Sequence, residues 1–241
     1  MKLQGKQKSA FTLIELLVVI TIIAILATFA VPGAMNAVNR ARLLAVVNSG
    51  QNIHKAAFMM AQEAAIKQST NYGWPGELKD NGKISDISTY VNQLVRYGFL
   101  PVGSLKIFAT PGFIAYSGEV SGRGSNTQLN PPFNATTNCG FKIYLARELD
   151  DDNTLLLATK NYTYWQPLDP RRQPFGDKGF VVIRKDGSGA ALNDAETEDD
   201  IVGILPGQRR PGEGSEGGDN VMVSYGAAST PRVSDSGTLQ R

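Results

Sequence analysis

Residues 11–31 read FTLIELLVVITIIAILATFAV, and Glu15 is the one charged residue among them. As an α-helix that rises about 1.5 Å per residue, this stretch would extend roughly 31 Å, which matches the hydrocarbon core of a bilayer. The ten residues before it contain three lysines and no acidic residue. Because positively charged flanks stay in the cytoplasm, the sequence predicts one membrane span, with a cytoplasmic N-terminus and the chain after Val31 on the opposite side.

Two ordinary interpretations explain only part of this segment. A cleavable secretory signal would explain the basic start, and Thr28-Phe29-Ala30 offers small residues at suitable positions. Its apolar stretch should, however, be only about 7–15 residues long. A plain membrane anchor explains the length but leaves Glu15 without a reason, because a carboxylate at a helix centre costs about 2.5–3.5 kcal/mol.

A third interpretation explains the basic leader, the length and the acidic residue together. The run KSAFTLIELLVV at residues 8–19 closely resembles the N-terminal motif of type IV prepilins and type II secretion pseudopilins. The resemblance implies that a prepilin peptidase cuts between Ala10 and Phe11 and that the new amine of Phe11 is methylated. Glu15 is then the fifth mature residue, and Pro32 falls where these pilins commonly have a proline. Ala10 departs from the pattern, since the residue before the cut is normally glycine.

The resemblance also implies a role for Glu15 in assembly. In staggered helices, the carboxylate of one subunit would meet the Phe11 amine of its neighbour and set the register of the filament. The expected partners are other pilin or pseudopilin subunits, the prepilin peptidase and an inner-membrane assembly platform.

The helical pattern is expected to continue through residues 32–70 as an amphipathic arm. Pro32 and Gly33 predict a kink rather than an end, because residues 36–68 contain no proline and one glycine, Gly50. Apolar residues then recur at helical spacing: Val38, Leu44, Val47, Ile53, Ala57, Met60 and Ala64.

Residues 71–228 are predicted to form an α+β domain, with a small antiparallel sheet packed on the long helix. Residues 71–76 read as a loop, 84–99 as a second helix, and 141–147, 154–159, 179–185, 188–192 and 221–225 as strands. Asp186-Gly187 predicts a tight hairpin turn. Residues 118–138 and 203–220 read as long loops, and residues 229–241 as a flexible tail.

Composition argues against nucleic-acid binding and against catalysis. The formal net charge of +2 becomes −1 once the first ten residues are left out, so the domain has no basic field. The sequence has no phosphate-binding loop, no paired zinc ligands, one histidine (His54) and one cysteine (Cys139), which we expect to be buried. We expect no cofactor. The weak candidates for a calcium site are Asp194, Glu196, Asp199 and Asp200, for which a solvated loop is the favoured interpretation.

The sequence therefore favours a structural subunit of a type IV pilus-like filament, and within that class a pseudopilin of a type II secretion system. Two alternatives stay open. One is a type IV pilin used for adhesion or DNA uptake, and the other is a monomeric, membrane-tethered periplasmic binding domain.

Overall fold

The computed structural model describes residues 11–122, 124–164, 166–193, 202–205 and 221–222. The chain divides into two compact units, Met1–Ala41 and Arg42–Arg241. Helix α1 runs from Leu13 to Lys67 and thus contributes to both units. It is continuous through Pro32 and Gly33. The bend expected there stays a prediction.

The second unit combines short helices with antiparallel sheets, so the predicted α+β class is confirmed. Its helices after α1 are α2 (Pro75–Asp80), α3 (Ile87–Arg96) and α4 (Ala135–Asn138), with 3-10 turns at Val102–Phe108 and Gly124–Asn126. A two-stranded sheet pairs β1 (Glu119–Ser121) with β2 (Gln128–Asn130). The larger sheet contains β3 (Phe141–Tyr144), β4 (Leu155–Thr159), β5 (Phe180–Arg184), β6 (Gly189–Leu192) and β7 (Val221–Met222), in the order β6-β5-β4-β3-β7.

The part of α1 in the second unit packs against one face of the larger sheet. Ile53 and Met60 of the helix belong to the same buried core as Ile143 and Ile183 of the strands. At Gly50 the helix lies so close to β5 that a Cβ added to this residue would be 2.6 Å from Ile183 Cγ1. Glycine therefore allows the close approach of helix to sheet.

The predicted apolar face of α1 is partly wrong. Val47, Ile53, Ala57 and Met60 are buried as expected, whereas Val38 and Leu44 are about half exposed. Leu43 and Val46 are buried instead of Leu44. Gly50 explains part of the error, because it lies against the sheet but has no apolar side chain that would mark this position in the sequence pattern.

Two predicted loops contain regular structure. The loop expected at residues 71–76 includes the start of α2, and Glu77 Oε2 accepts a hydrogen bond of 2.9 Å from Trp74 N at its first turn. The loop expected at residues 118–138 contains β1, β2 and α4. These strands are three residues long, which is too short for alternation to be recognised in a sequence.

The hairpin at Asp186-Gly187 is confirmed. Gly187 has φ +85°, and Arg184 N donates to Ser188 O at 2.9 Å across the turn. Gly187 supplies the left-handed conformation that such a turn needs. β5 and β6 are thereby held in antiparallel register from Ile183–Gly189 to Phe180–Leu192.

The second face of the larger sheet is also buried, under residues that follow β4. Tyr144, Leu155 and Val182 share a core there with Tyr162 and Phe180, whose rings stack at 4.2 Å. The sheet therefore has two covered faces, and every residue of β3 is buried.

Candidate functional site

Thr12 and Glu15 form a hydrogen-bonded pair at the start of α1. Glu15 Oε2 accepts from Thr12 N at 2.8 Å and from Thr12 Oγ1 at 2.7 Å, while Glu15 N donates back to Thr12 Oγ1 at 3.3 Å. This is a capping box, in which two side chains satisfy backbone N–H groups that the first helical turn leaves unpaired. The pair fixes the carboxylate at the N-terminal end of the helix.

One oxygen of this carboxylate has no partner within the described part of the chain. Oε2 accepts both hydrogen bonds from Thr12, and Oε1 accepts none from a described residue. The expected cut before Phe11 would leave both donors intact, because they belong to Thr12. A cation could thus approach Oε1 without breaking the cap.

The helix that follows Glu15 exposes apolar side chains all around. Every residue from Phe11 to Val31 is exposed, and the Phe11 side chain is 73% exposed. Helix α1 contains an 18-residue window of mean hydropathy 2.8, so by length and composition it could cross a membrane. An apolar surface of this extent is stable only in lipid or against other apolar surfaces.

The predicted site residues lie in different parts of the chain. Phe11 lies two residues before α1, Glu15 lies in its first turn, and Pro32 and Gly33 lie inside the helix. Ala10 lies outside the described residues. The candidate calcium ligands also lie outside them, and calcium there stays a prediction: Asp194, Glu196, Asp199 and Asp200.

Thr12 is the functional candidate that the sequence interpretation missed. Threonine followed three residues later by glutamate, directly before an apolar run, is the pattern of a capping box. Thr12 and Glu15 have this spacing in residues 12–15, so the cap could be recognised from the sequence.

Comparison with known families matches residues 5–31 to the prokaryotic N-terminal methylation motif. The segment is of the type IV pilin-like, prepilin type. The matched residues include Ala10, Phe11, Thr12 and Glu15, and they contain the whole apolar stretch of residues 11–31. No curated protein matched the chain, and no solved structure matched it either.

The prepilin-type motif and the apolar helix together indicate membrane anchoring and a structural, pilin-like protein. In this segment, Glu15 is the carboxylate that Thr12 holds at the start of α1, four residues after Phe11. Among the described residues, no group of three or more His, Cys, Asp or Glu side chains is placed to hold a metal ion.

Proposed function

We propose that this protein is a structural subunit of a type IV pilus-like filament, and specifically a pseudopilin of a type II secretion system. A prepilin peptidase cuts between Ala10 and Phe11, the Phe11 amine is methylated, and subunits assemble through α1. The observation that carries the proposal is the methylation motif at residues 5–31, at the start of an exposed apolar helix.

The capping box suggests how the charge of Glu15 is used. Thr12 holds Oε2, and Oε1 accepts no hydrogen bond from a described residue, so Oε1 can accept one from the methylated Phe11 amine of a neighbouring subunit. An ammonium and a carboxylate attract each other strongly in an apolar surrounding but cost much to bury unpaired. The pair therefore selects one register of neighbouring helices.

The choice of a secretion pseudopilin over an adhesive pilin rests on Cys139. Adhesive pilins often close a C-terminal loop with a disulfide, and this chain has one cysteine, which is fully buried. A secretion ATPase and an outer-membrane secretin encoded beside this gene would support secretion. Genes for pilus retraction or DNA uptake there would favour the alternative pilin.

N-terminal processing gives the first test. Mass spectrometry of protein purified from membranes of cells with an active prepilin peptidase should find a chain that starts with methylated Phe11. A chain that starts at Val31 would indicate ordinary signal cleavage. An intact Met1 would show that Ala10 is not accepted before the cut.

Glu15→Gln tests the charge pair. The amide keeps the size of the side chain and is cheaper to bury than a carboxylate, so we expect normal membrane insertion and near-normal cleavage. Cross-linking between neighbouring subunits should fall several-fold at equal membrane abundance. Glu119→Gln, which removes an exposed carboxylate of the domain, is the matched control. Equal cross-linking of Glu15→Gln and its parent would reject the charge pair, and no cross-linking even in the parent would favour the monomeric, tethered domain.

A further inference from the structure

Lys142 places a positively charged group inside the domain, on the face of the larger sheet opposite α1. It lies in β3 between Phe141 and Ile143, and its side chain is on the other side of the strand from theirs. The residue is only 7% exposed, and Nζ donates to the carbonyl oxygen of Tyr162 and, at 3.4 Å, to Thr163 Oγ1. No carboxylate among the described residues pairs with it. A buried ammonium without a counter-ion is costly, and an anion that paired with it would remove part of this cost.

Thr163 links Lys142 to a second cation at the surface. Arg172 Nη1 donates to Thr163 Oγ1 at 3.1 Å, so the hydroxyl oxygen accepts from two positively charged groups. Ammonium and guanidinium groups can only donate hydrogen bonds. The hydroxyl must therefore direct its own proton elsewhere, and no described residue accepts it.

The charges around this hydroxyl are poorly neutralised. Burial, together with repulsion from Arg172 and then Lys160, lowers the pKa of Lys142 to about 8. Within the described part of the chain, Arg172 forms an ion pair with Asp169, whose Oδ2 is 3.8 Å from Nε, beyond hydrogen-bonding distance. Lys160 is itself held by Ala135 O at 2.7 Å.

We propose that Lys142, Thr163 and Arg172 form a binding site for an oxyanion of the phosphate or carboxylate class. The anion would accept from the Thr163 hydroxyl and from the guanidinium of Arg172, which presents several donors in one plane. It would also neutralise the ammonium beneath them. The site lies within the second unit and does not depend on the proposed filament function.

The test uses the full-length protein in an uncharged detergent, with inorganic phosphate as the first probe and acetate as the second. Binding is measured by isothermal titration, and by the melting temperature against chloride at matched ionic strength. We expect saturable binding that weakens about tenfold or more in Arg172→Gln, because a charged hydrogen bond is lost. Arg171→Gln removes an adjacent, exposed arginine and should bind like the parent.

Lys142→Met provides a second variant that keeps the apolar part of the side chain. It should fold, as shown by an unchanged circular dichroism spectrum, and should lose binding. Binding of phosphate alone would assign the site to phosphate groups, and binding of acetate as well would extend it to carboxylates. The proposal is overturned if the parent binds neither probe, if Arg171→Gln and Arg172→Gln weaken binding equally, or if folded Lys142→Met binds like the parent.

Discussion

The side chain of Lys142 is a buried cation that pairs with no carboxylate among the residues the structure describes. Its ordinary pKa of 10.5 falls to about 8, first through burial and then through Arg172 and Lys160. Between pH 8 and 10.5 the unfolded chain then holds a proton that the folded chain has released, so stability rises with pH across this interval. Below pH 8 the penalty of the buried charge is fully present.

Lys142→Met should therefore stabilise the domain at pH 7. The difference in pKa corresponds to a penalty of about 3 kcal/mol, and the loss of the hydrogen bond to Tyr162 O offsets about 1 kcal/mol of its removal. Chemical denaturation in phosphate-free buffer should show a gain at pH 7 that shrinks toward pH 10. Lys106→Met, at an exposed position, should show neither effect. A gain that stays constant with pH would contradict this account of Lys142.

For single residues, the sequence predicts the burial of apolar side chains better than the burial of polar ones. Cys139 is buried, as its small apolar side chain suggested. Lys142 lies in the predicted strand 141–147, and no local pattern reveals that residues after β4 cover its side chain. Thr12 differs, since its capping role follows from four adjacent residues and was predictable.

The contact between α1 and the larger sheet depends on one missing side chain. Gly50→Ala would place a methyl group 2.6 Å from Ile183 Cγ1 and 2.9 Å from Ile183 Cδ1. We expect a loss of about 1–2 kcal/mol in the free energy of unfolding, because overpacking costs more than alanine gains in helix propensity. Thermal or denaturant unfolding of the purified protein measures it.

Gly33→Ala is the matched control, since no atom lies within 4 Å of its added Cβ. Gly33→Ala should leave the free energy of unfolding of the domain unchanged. In an Ile183→Ala background the cost of Gly50→Ala should largely disappear, because the clashing atoms are gone. If Gly50→Ala still lowered the free energy of unfolding in the Ile183→Ala background, the effect would arise in the helix itself and not in its contact with Ile183.

Elements with strong local signals were predicted well. α1, α3 and the β5–β6 hairpin combine long periodicity or a specific turn with clear ends. β1, β2 and α2 were missed because each is six residues or shorter, and their stability comes from pairing and capping with residues nearby in space. Leu44 was wrongly assigned to the buried face of α1 for a similar reason, because Gly50, which lies against the sheet, has no apolar side chain that would indicate this face.

For the whole molecule, the leader lysines and the single apolar span predict which side of the membrane the domain occupies. A reporter enzyme that is active only in the periplasm, fused after Arg241, should be active, because positive residues remain cytoplasmic. The same fusion with a reporter that is active only in the cytoplasm is the control and should be silent. The reverse result would make Arg40 and Arg42, which follow the span, the charges that set the orientation.

The fully buried Cys139 allows the stability of the domain to be measured in intact membranes. It is the one thiol of the chain, and burial raises its pKa to about 11, so a water-soluble alkylating reagent reacts with it only during transient opening of the domain. Its rate of alkylation thus reports the free energy of opening in intact membranes, without purification. Alkylation should be far slower than in denaturant and faster in Gly50→Ala than in Gly33→Ala. A slower rate in cross-linked assemblies than in single subunits would reveal how much neighbouring subunits stabilise each domain.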